Sequence, residues 1–268
     1  MSEFREFEVS LPDGATLSCA VMGQGVPVLW ISGLSGMANF WDSICPSLSG
    51  IMSITFDQRG LRQSKRGTSD INIERLALDA LAILDHLGLE KAHVVGHSTG
   101  GCIAMTMALT SPHRISRLVI SGSWAGPNPY MSALFGWRQK LLGTDARLYQ
   151  AILPFFSNTP QWLIDHPDQL ALPTESLSTD QIAIVKERIA ALMAFDCRHN
   201  IASLVQPCLV IGARDDLVVP MFLQIELANH IQNATTHFFE NGGHFFPHSQ
   251  NHPFVSLMEN WLLPHRDD

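Results

Sequence analysis

Hydrophobic residues in this chain gather in short runs of strand length. Six runs are nearly continuous and lack the strict apolar–polar alternation of a strand that is exposed on one face. They cover residues 26–32, 53–56, 92–95, 118–121, 208–211 and 235–239. Continuous apolar strands are typical of a parallel sheet that is covered by helices on both faces.

Between these runs, the apolar positions follow the spacing of a helix. The helical segments cover residues 73–87, 101–109, 221–231 and 253–263. Before the first run, Phe4–Ser10 and Thr16–Met22 flank the turn sequence Pro-Asp-Gly at residues 12–14, which predicts a hairpin. The pattern therefore predicts the α/β class, with a mostly parallel eight-stranded sheet, helices on both faces and an antiparallel hairpin at the start.

Residues 124–203 interrupt the alternation of strands and helices, because they contain no convincing buried strand. Helical segments at 132–142 and 180–194 are separated there by stretches that contain several prolines. We expect this region to be a helical cap that lies over the strand ends. The core domain then consists of residues 1–123 together with residues 204–268.

Composition narrows the possible roles of the chain. Of its 268 residues, 46% are hydrophobic and 16% are charged, which is enough apolar material for a large core. No run has the length of a membrane span, and the first residues lack the pattern of a signal peptide, so we expect neither. The net charge of −8 argues against nucleic acid as a partner.

The cysteines and histidines do not indicate a metal site or a disulfide framework. The five cysteines are odd in number and form no Cys-x-x-Cys pair. The twelve histidines include no His-Glu-x-x-His motif. We therefore expect a cytoplasmic protein with reduced, mostly buried thiols and with no metal or cofactor. We expect it to act on a small molecule as a monomer or a homodimer.

The strongest chemical signal is the sequence Gly-His-Ser-Thr-Gly-Gly at residues 96–101. It follows an apolar run and precedes a helical segment, which is the setting of a nucleophile elbow. Such a turn raises the hydroxyl of Ser98 above the sheet and points the backbone N–H of Thr99 toward an oxyanion that forms beside it. The alternative is a glycine-rich turn in which Ser98 only caps the helix.

A serine hydroxyl needs a neighbouring base before it acts as a nucleophile. His244 follows Asn-Gly-Gly at residues 241–243, just after the last apolar run, where two glycines allow a sharp turn. We expect His244 to be this base. We interpret His248 and His252 as surface or capping residues, and His97 as a packing residue.

A carboxylate must orient the imidazole, and two adjacent aspartates follow the fifth apolar run. Counting from Pro207, and back from Pro220, favours Asp216. Counting from Gly212 favours Asp215. We prefer Asp216 and keep Asp215 as the alternative. Either gives the order serine, aspartate, histidine that an elbow serine requires.

The loop after the first apolar run supplies further candidates. It reads Ser-Gly-Leu-Ser-Gly at residues 32–36, and its small residues allow the backbone to approach a ligand closely. We expect the N–H of Leu34 to be the second oxyanion donor, although a plain glycine turn has the same pattern. Four residues are expected to line the substrate pocket: Gly33, Ser35, Trp124 and Phe245.

Arginines are the remaining candidates for substrate contact. In the cap, Arg138 and Arg147 are the two that we consider, because an arginine that faces the pocket would bind a substrate carboxylate. The pattern does not decide between them. We interpret Arg59 as a brace beside the sheet rather than as a substrate contact.

Together, these motifs resemble the α/β-hydrolase superfamily. The motifs that carry the resemblance are the elbow at residues 96–100, Asp-Gln-Arg-Gly at 57–60, the segment 216–220 and Gly-Gly-His at 242–244. The resemblance covers nearly the whole chain and is weakest over residues 124–203. Within the superfamily, residues 31–34, 57–60 and 215–220 are similar to the branch around the aminoacrylate hydrolase of pyrimidine breakdown and the 3-oxoadipate enol-lactonases.

The resemblance implies a serine hydrolase that transfers an acyl group from a small ester, lactone or amide-like bond to water. Ser98, His244 and Asp216 are the implied triad. The same triad also serves hydrolysis of a carbon–carbon bond, an enol-lactone or an enamide, so these reactions are the alternative. A ligand receptor without catalytic activity is the alternative from another class. One departure is Ser32, since many members carry His-Gly at this loop.

Overall fold

One eight-stranded sheet organises the part of the chain that the structure describes. The computed structural model describes residues 4–232 and 234–263. The strands are β1 (Phe4–Ser10), β2 (Thr16–Met22), β3 (Val26–Ile31), β4 (Ile51–Phe56), β5 (Ala92–His97), β6 (Ile115–Ser121), β7 (Cys208–Ala213) and β8 (Ala234–Phe239). Their order across the sheet is β1-β2-β4-β3-β5-β6-β7-β8. β2 pairs in antiparallel register with β1 and β4, and the other neighbours are parallel, so the predicted fold class is confirmed.

Two strands begin a few residues before the apolar runs that predicted them. β4 starts at Ile51 and β6 starts at Ile115. The first residues of β6 include Ser116 and Arg117, which are only half-buried. Polar side chains are tolerated at such strand ends, and in β6 the apolar run therefore starts later than the strand itself.

Helices cover both faces of the sheet. Residues of α1 (Ile73–His86), α2 (Thr99–Thr110) and α7 (Met221–His230) belong to one buried apolar cluster. Residues of α8 (Phe246–Ser249) and α9 (Asn251–Leu262) belong to a second cluster. α2 is apolar on all sides because it packs against β5, β6 and α1. Within the described ranges, no helix has both the length and the apolar character to cross a bilayer.

Between β6 and β7, within the region where the sequence predicted a helical cap, the chain forms further helices. They are α3 (Pro129–Thr144), α4 (Ala146–Ser157), α5 (Pro160–Asp165) and α6 (Thr179–Ala194). We call residues 129–194 the cap. A polar side chain accepts a backbone N–H at the start of each helix, namely Asn128, Asp145, Thr159 and Ser178. Pro129 and Pro160 occupy first helical positions, where a missing N–H costs nothing, so these prolines start helices rather than break them.

Arg59 lies fully buried between the hairpin and α1. Its Nε and Nη2 donate to the two carboxylate oxygens of Asp79 at 2.5 and 2.6 Å, and its Nη1 donates to Asp13 at 2.6 Å. The hydrogen bond from Arg59 lowers the pKa of Asp13. Because Asp13 belongs to the turn between β1 and β2, one guanidinium fastens this turn to α1. This placement agrees with the interpretation of Arg59 as a brace.

We predict that Arg59→Met lowers the free energy of unfolding by about 3–5 kcal/mol, because it leaves the buried carboxylate of Asp79 without a counter-charge. Urea unfolding followed by circular dichroism measures the loss. Arg66→Met is the matched control, since Arg66 and Glu187 form an ion pair at 2.5 Å with 29% and 38% of their side chains exposed. We expect the control to lose about 1 kcal/mol or less, and equal losses would contradict the prediction.

Candidate active site

Ser98 lies at the sharp turn where β5 ends and α2 begins. Its φ of 56° and ψ of −124° fall outside the regions that a residue with a side chain normally adopts. A Cβ on Gly96 would come within 2.2 Å of the carbonyl oxygen of Gly100, and a Cβ on Gly100 within 2.1 Å of that of Ile31. The two flanking glycines are therefore required by contact with neighbouring backbone, and the strained turn leaves the hydroxyl of Ser98 above the strand ends.

Three side chains from distant parts of the chain form one continuous hydrogen-bonded series. His244 Nε2 lies 2.9 Å from Ser98 Oγ, and His244 Nδ1 lies 2.8 Å from Asp216 Oδ2. All three residues are buried, with 5%, 4% and 3% of Ser98, His244 and Asp216 exposed. With Nδ1–H donating to the carboxylate, Nε2 accepts the proton of the serine hydroxyl.

The two adjacent aspartates have different hydrogen-bond partners in the structure. Asp216 Oδ1 accepts the backbone N–H groups of Val218 and Val219, each at 2.8 Å, so the second carboxylate oxygen stays free for His244. Asp215 faces the histidine loop instead, and accepts the N–H groups of Gly242 at 3.2 Å and Gly243 at 2.9 Å. Asp216 contacts the imidazole, and Asp215 holds the loop that carries it.

The loop before His244 needs both of its glycines. Gly242 has a φ of 141° and Gly243 a φ of 64°, which side chains rarely adopt. A Cβ on Gly243 would also come within 2.8 Å of the carbonyl oxygen of Ser157, the last residue of α4. The N–H of Phe245 donates to the same oxygen at 2.8 Å. The cap therefore fixes the position of the histidine loop.

The loop after β3 lies directly against Ser98. A Cβ on Gly33 would come within 2.9 Å of Ser98 Cβ and 3.4 Å of Ser98 Oγ. Leu34 lines the adjoining cavity, and Thr99 is the first residue of α2. Within the described part of the chain, neither the Leu34 N–H nor the Thr99 N–H donates to a backbone carbonyl. Both groups are thus free to bind an oxyanion, and this role remains a prediction.

A cavity of about 630 Å³ opens over Ser98 and is roofed by the cap. Gly33, Ser35 and Phe245 line it as the sequence predicted. Trp124 does not, and its placement in the pocket was wrong. It is 1% exposed and packs in the apolar core, because the chain leaves the sheet at this point and turns toward the cap. Two arginines, Arg62 and Arg138, and one aspartate, Asp180, also line the cavity.

The neighbouring histidines have distinct environments. His97 is fully buried, its Nδ1 lies 3.0 Å from Ser121 Oγ, and its ring stacks on Phe40. Its ring centroid is 4.9 Å from that of His244, and burial holds the pKa of His97 well below its usual value. His97 is therefore neutral and places no positive charge beside His244. This agrees with a packing role.

His248 differs from the interpretation as a surface or capping residue. Its ring packs edge-on against Phe40, and its Nδ1 lies 3.1 Å from Ser43 Oγ. Burial lowers the pKa of His248 to about 4. His252 is exposed, as expected. His248 is thus half-buried in α8, in contact with Phe40, which the spacing alone did not indicate.

Two arginines of the cap, Arg138 and Arg188, lie close to the site. Arg138 lines the cavity and is 9% exposed, whereas Arg147 is exposed and donates to the carbonyl oxygen of Pro173. Sequence reasoning missed Arg188 of α6 altogether. This residue is 1% exposed and donates to the loop that carries Leu34. A contact between residues 154 positions apart leaves no local pattern that would have revealed it.

Within the described residues, no three histidine, cysteine or acidic side chains converge to hold a metal ion. The arrangement that does converge consists of a hydroxyl, an imidazole and a carboxylate below a largely apolar cavity. Such a constellation activates the hydroxyl as a nucleophile toward a carbonyl carbon.

The chain belongs to the α/β-hydrolase family. Residues 26–161 match the family described as having the alpha/beta hydrolase fold. This region contains the Ser98 elbow and the loop of Gly33 and Leu34. The chain is accordingly a hydrolase of the α/β fold.

Curated relatives extend the similarity to most of the chain. Several of them carry the name carbamate hydrolase RutD. The one from Caulobacter sp. (strain K31) is 31% identical over 88% of this chain and 90% of its own length. The one from Variovorax paradoxus (strain S110) is 33% identical over 82% and 85%, respectively. Among solved structures, the enol-lactonase from Burkholderia xenovorans LB400 shares the fold, with a TM-score of 0.80 and 20% identity over 97% of this chain and 96% of its own.

The two aspartates lead to a prediction. We expect Asp216→Asn to lower kcat for ester hydrolysis by on the order of 10³–10⁴, because an amide neither stabilises the imidazolium nor enforces the required tautomer. Asp215→Asn keeps an acceptor for one loop N–H, and we expect about a tenfold loss or less. Steady-state rates on 4-nitrophenyl acetate measure both. A larger loss in the Asp215 variant would reverse the assignment.

Proposed function

We propose that this protein hydrolyses a carboxylic ester, lactone or amide-like bond of a small molecule by acyl transfer through Ser98. The observation that carries the proposal is the unbroken hydrogen-bonded series from Ser98 Oγ through His244 to Asp216. A serine hydroxyl becomes nucleophilic when a base takes its proton as it attacks. The series supplies that base and a carboxylate that stabilises its protonated form.

The proposed reaction has two steps. His244 Nε2 takes the proton of Ser98 Oγ as this oxygen attacks the substrate carbonyl, and the N–H groups of Leu34 and Thr99 bind the resulting oxyanion. The intermediate collapses, His244 gives its proton to the leaving group, and an acyl-enzyme remains. Water then attacks the acyl carbon as His244 takes its proton, and His244 passes this proton to Ser98 Oγ as the bond to the acyl group breaks and the acid is released.

The strain at Ser98 supports a catalytic role over that of a receptor without activity. A serine held at a φ of 56° costs about 1–3 kcal/mol and persists only where the surrounding structure imposes it. A helix cap needs no such conformation. A raised hydroxyl within 2.9 Å of an oriented imidazole is what acyl transfer requires.

Arg138 supports a substrate that carries a carboxylate. Its guanidinium lies over the rings of Phe135 and Tyr149, and its buried Nε has no hydrogen-bond partner among the described residues. Arg62, by contrast, lies 4.0 Å from Asp57. Arginine binds carboxylates through paired donors, and Arg138 is the buried arginine of this cavity, with one hydrogen bond, from Nη2 to Tyr149 Oη at 3.4 Å. We propose that it binds an acidic group of the substrate.

The relatives named carbamate hydrolase add a further bond to test, since a carbamate offers a carbonyl carbon with a nitrogen leaving group.

We also propose that the protein is located in the cytoplasm. The support for this is that all five cysteines are free and buried, whereas secreted proteins commonly pair theirs.

Ser98→Ala provides the main test. We expect kcat for 4-nitrophenyl esters to fall by at least about 10³, because the nucleophile is lost while the fold is kept. Mass spectrometry of the wild type treated with a fluorophosphonate should show one adduct, on Ser98. A variant that kept its activity, or a label on another residue, would overturn the proposal.

Arg138→Met tests the substrate class. The KM of mono-4-nitrophenyl succinate, which carries a free carboxylate, should rise about 10- to 100-fold, because one charge-assisted contact is lost. The KM of the neutral 4-nitrophenyl butyrate should change less than about threefold. Arg147→Met, also in the cap but exposed, is the matched control and should alter neither value. Equal changes for both esters would contradict a carboxylate contact.

A further inference from the structure

Arg188 is a buried cation that the proposed reaction leaves without a role. It belongs to α6 of the cap, and its side chain is almost completely enclosed, with 1% exposed. It forms no ion pair with any carboxylate of the described residues, and burial lowers the pKa of Arg188 to about 10. Burying a charge without a counter-charge is costly. Arg188 is therefore a candidate for a functional role that explains why a charge is retained in the interior.

The hydrogen bonds of Arg188 converge on the loop beside Ser98. Nε donates to the carbonyl oxygen of Leu34 at 2.9 Å, and Nη2 donates to that of Gly33 at 3.3 Å. Nη2 also donates to Gln58 Oε1 at 2.6 Å, and Gln58 Nε2 donates to the carbonyl oxygen of Ser32 at 2.8 Å. Three consecutive carbonyl groups of the loop are thus held by one arginine and one glutamine.

The direction of the Gly33 carbonyl determines the direction of the Leu34 N–H. The carbonyl of Gly33 and the N–H of Leu34 belong to one planar unit, and no described peptide bond is cis. In a trans peptide the two groups point in opposite directions. The carbonyl oxygen of Gly33 accepts the N–H of Gly36 at 2.9 Å and Arg188 Nη2 at 3.3 Å, so the N–H of Leu34 points away from the guanidinium. The positive charge of the guanidinium, which donates to this carbonyl, also polarises the peptide group and strengthens its N–H as a donor.

We propose that Arg188 is a positioning residue that orients and polarises the Leu34 peptide as an oxyanion donor, so that the cap completes the catalytic site. This inference rests on the proposed acyl transfer. It assigns Arg188 no contact with substrate. The charge acts through the loop backbone, and its effect is greatest when negative charge develops on the substrate oxygen.

The test compares Arg188→Met with Arg188→Lys. Methionine approximates the length of the side chain but removes its charge and donors, and lysine restores the charge without the planar fork. We expect Arg188→Met to lower kcat about 10- to 100-fold, with KM changed less than about threefold, since the lost interaction belongs to the transition state. Arg188→Lys should regain part of kcat. The Tm of Arg188→Met should fall by a few degrees, because the carbonyl oxygen of Leu34 and Gln58 Oε1 lose their donor, while the variant stays folded at the assay temperature.

Phenylboronic acid supplies a readout that does not depend on turnover. Ser98 Oγ forms a bond to boron, its proton passes to His244, and a negatively charged tetrahedral adduct results that mimics the transition state. Titration followed by boron NMR gives the Kd. We expect the Kd to rise about 10- to 100-fold in Arg188→Met, in parallel with the loss in kcat.

Arg66→Met is the matched control, because Arg66 pairs with Glu187 of the same helix and does not contact the loop. If Arg188 only anchored the cap, both variants would lose kcat alike, and this would overturn the inference. A kcat and a boronate Kd at wild-type values in Arg188→Met would overturn it as well. A wild type without hydrolysis that depends on Ser98 would instead refute the proposed function, and with it this inference.

Discussion

The backbone conformation of Ser98 is the constraint on which the rest of the site depends. Its N–H donates to the carbonyl oxygen of Ser121 at 2.8 Å, and its own carbonyl accepts the N–H of Gly101 at 2.9 Å. β6 on one side and the first turn of α2 on the other thus hold the strained residue in place. The turn fits only because Gly100 brings α2 against the end of β3. The parallel sheet is therefore what allows a serine to adopt this unfavourable φ.

Besides covering the cavity, the cap contacts the loop that carries His244 and the loop that carries Gly33 and Leu34. Ser157, at the end of α4, accepts the N–H of Phe245 in the histidine loop, and Arg188 of α6 holds the carbonyl groups of Gly33 and Leu34. A displacement of the cap would therefore disturb the loop that carries His244 and the loop that carries Gly33 and Leu34 together. The loops on both sides of Ser98 thus depend on contacts with the cap, even though Ser98 and its elbow belong to the sheet.

The parts of the fold and site that follow local rules could be predicted from the sequence. The elbow glycines, the turn before His244 and the continuous strands each carry a pattern that chain geometry dictates. The choice between Asp215 and Asp216 could not be settled, because it depends on which carboxylate accepts the Val218 and Val219 N–H groups. Trp124 was misplaced because an aromatic residue beside the cap fits a core as well as a pocket. Arg188 was missed, since its partners lie far away in sequence.

Three arginines are buried in the described part of the chain, and their surroundings distinguish a role in stability from a role in function. Arg59 is neutralised by two carboxylates, which is how a buried charge contributes to structure. Arg138 rests on aromatic rings at the cavity wall, with its Nε unpaired. Arg188 has carbonyl and amide oxygens as its partners, which orient it without cancelling its charge. A positive charge that no carboxylate neutralises, close to the Ser98 hydroxyl, favours negative charge on a bound molecule. The same residue type thus braces the fold at one position and, in the roles that we propose, binds substrate or positions the oxyanion loop at the other two.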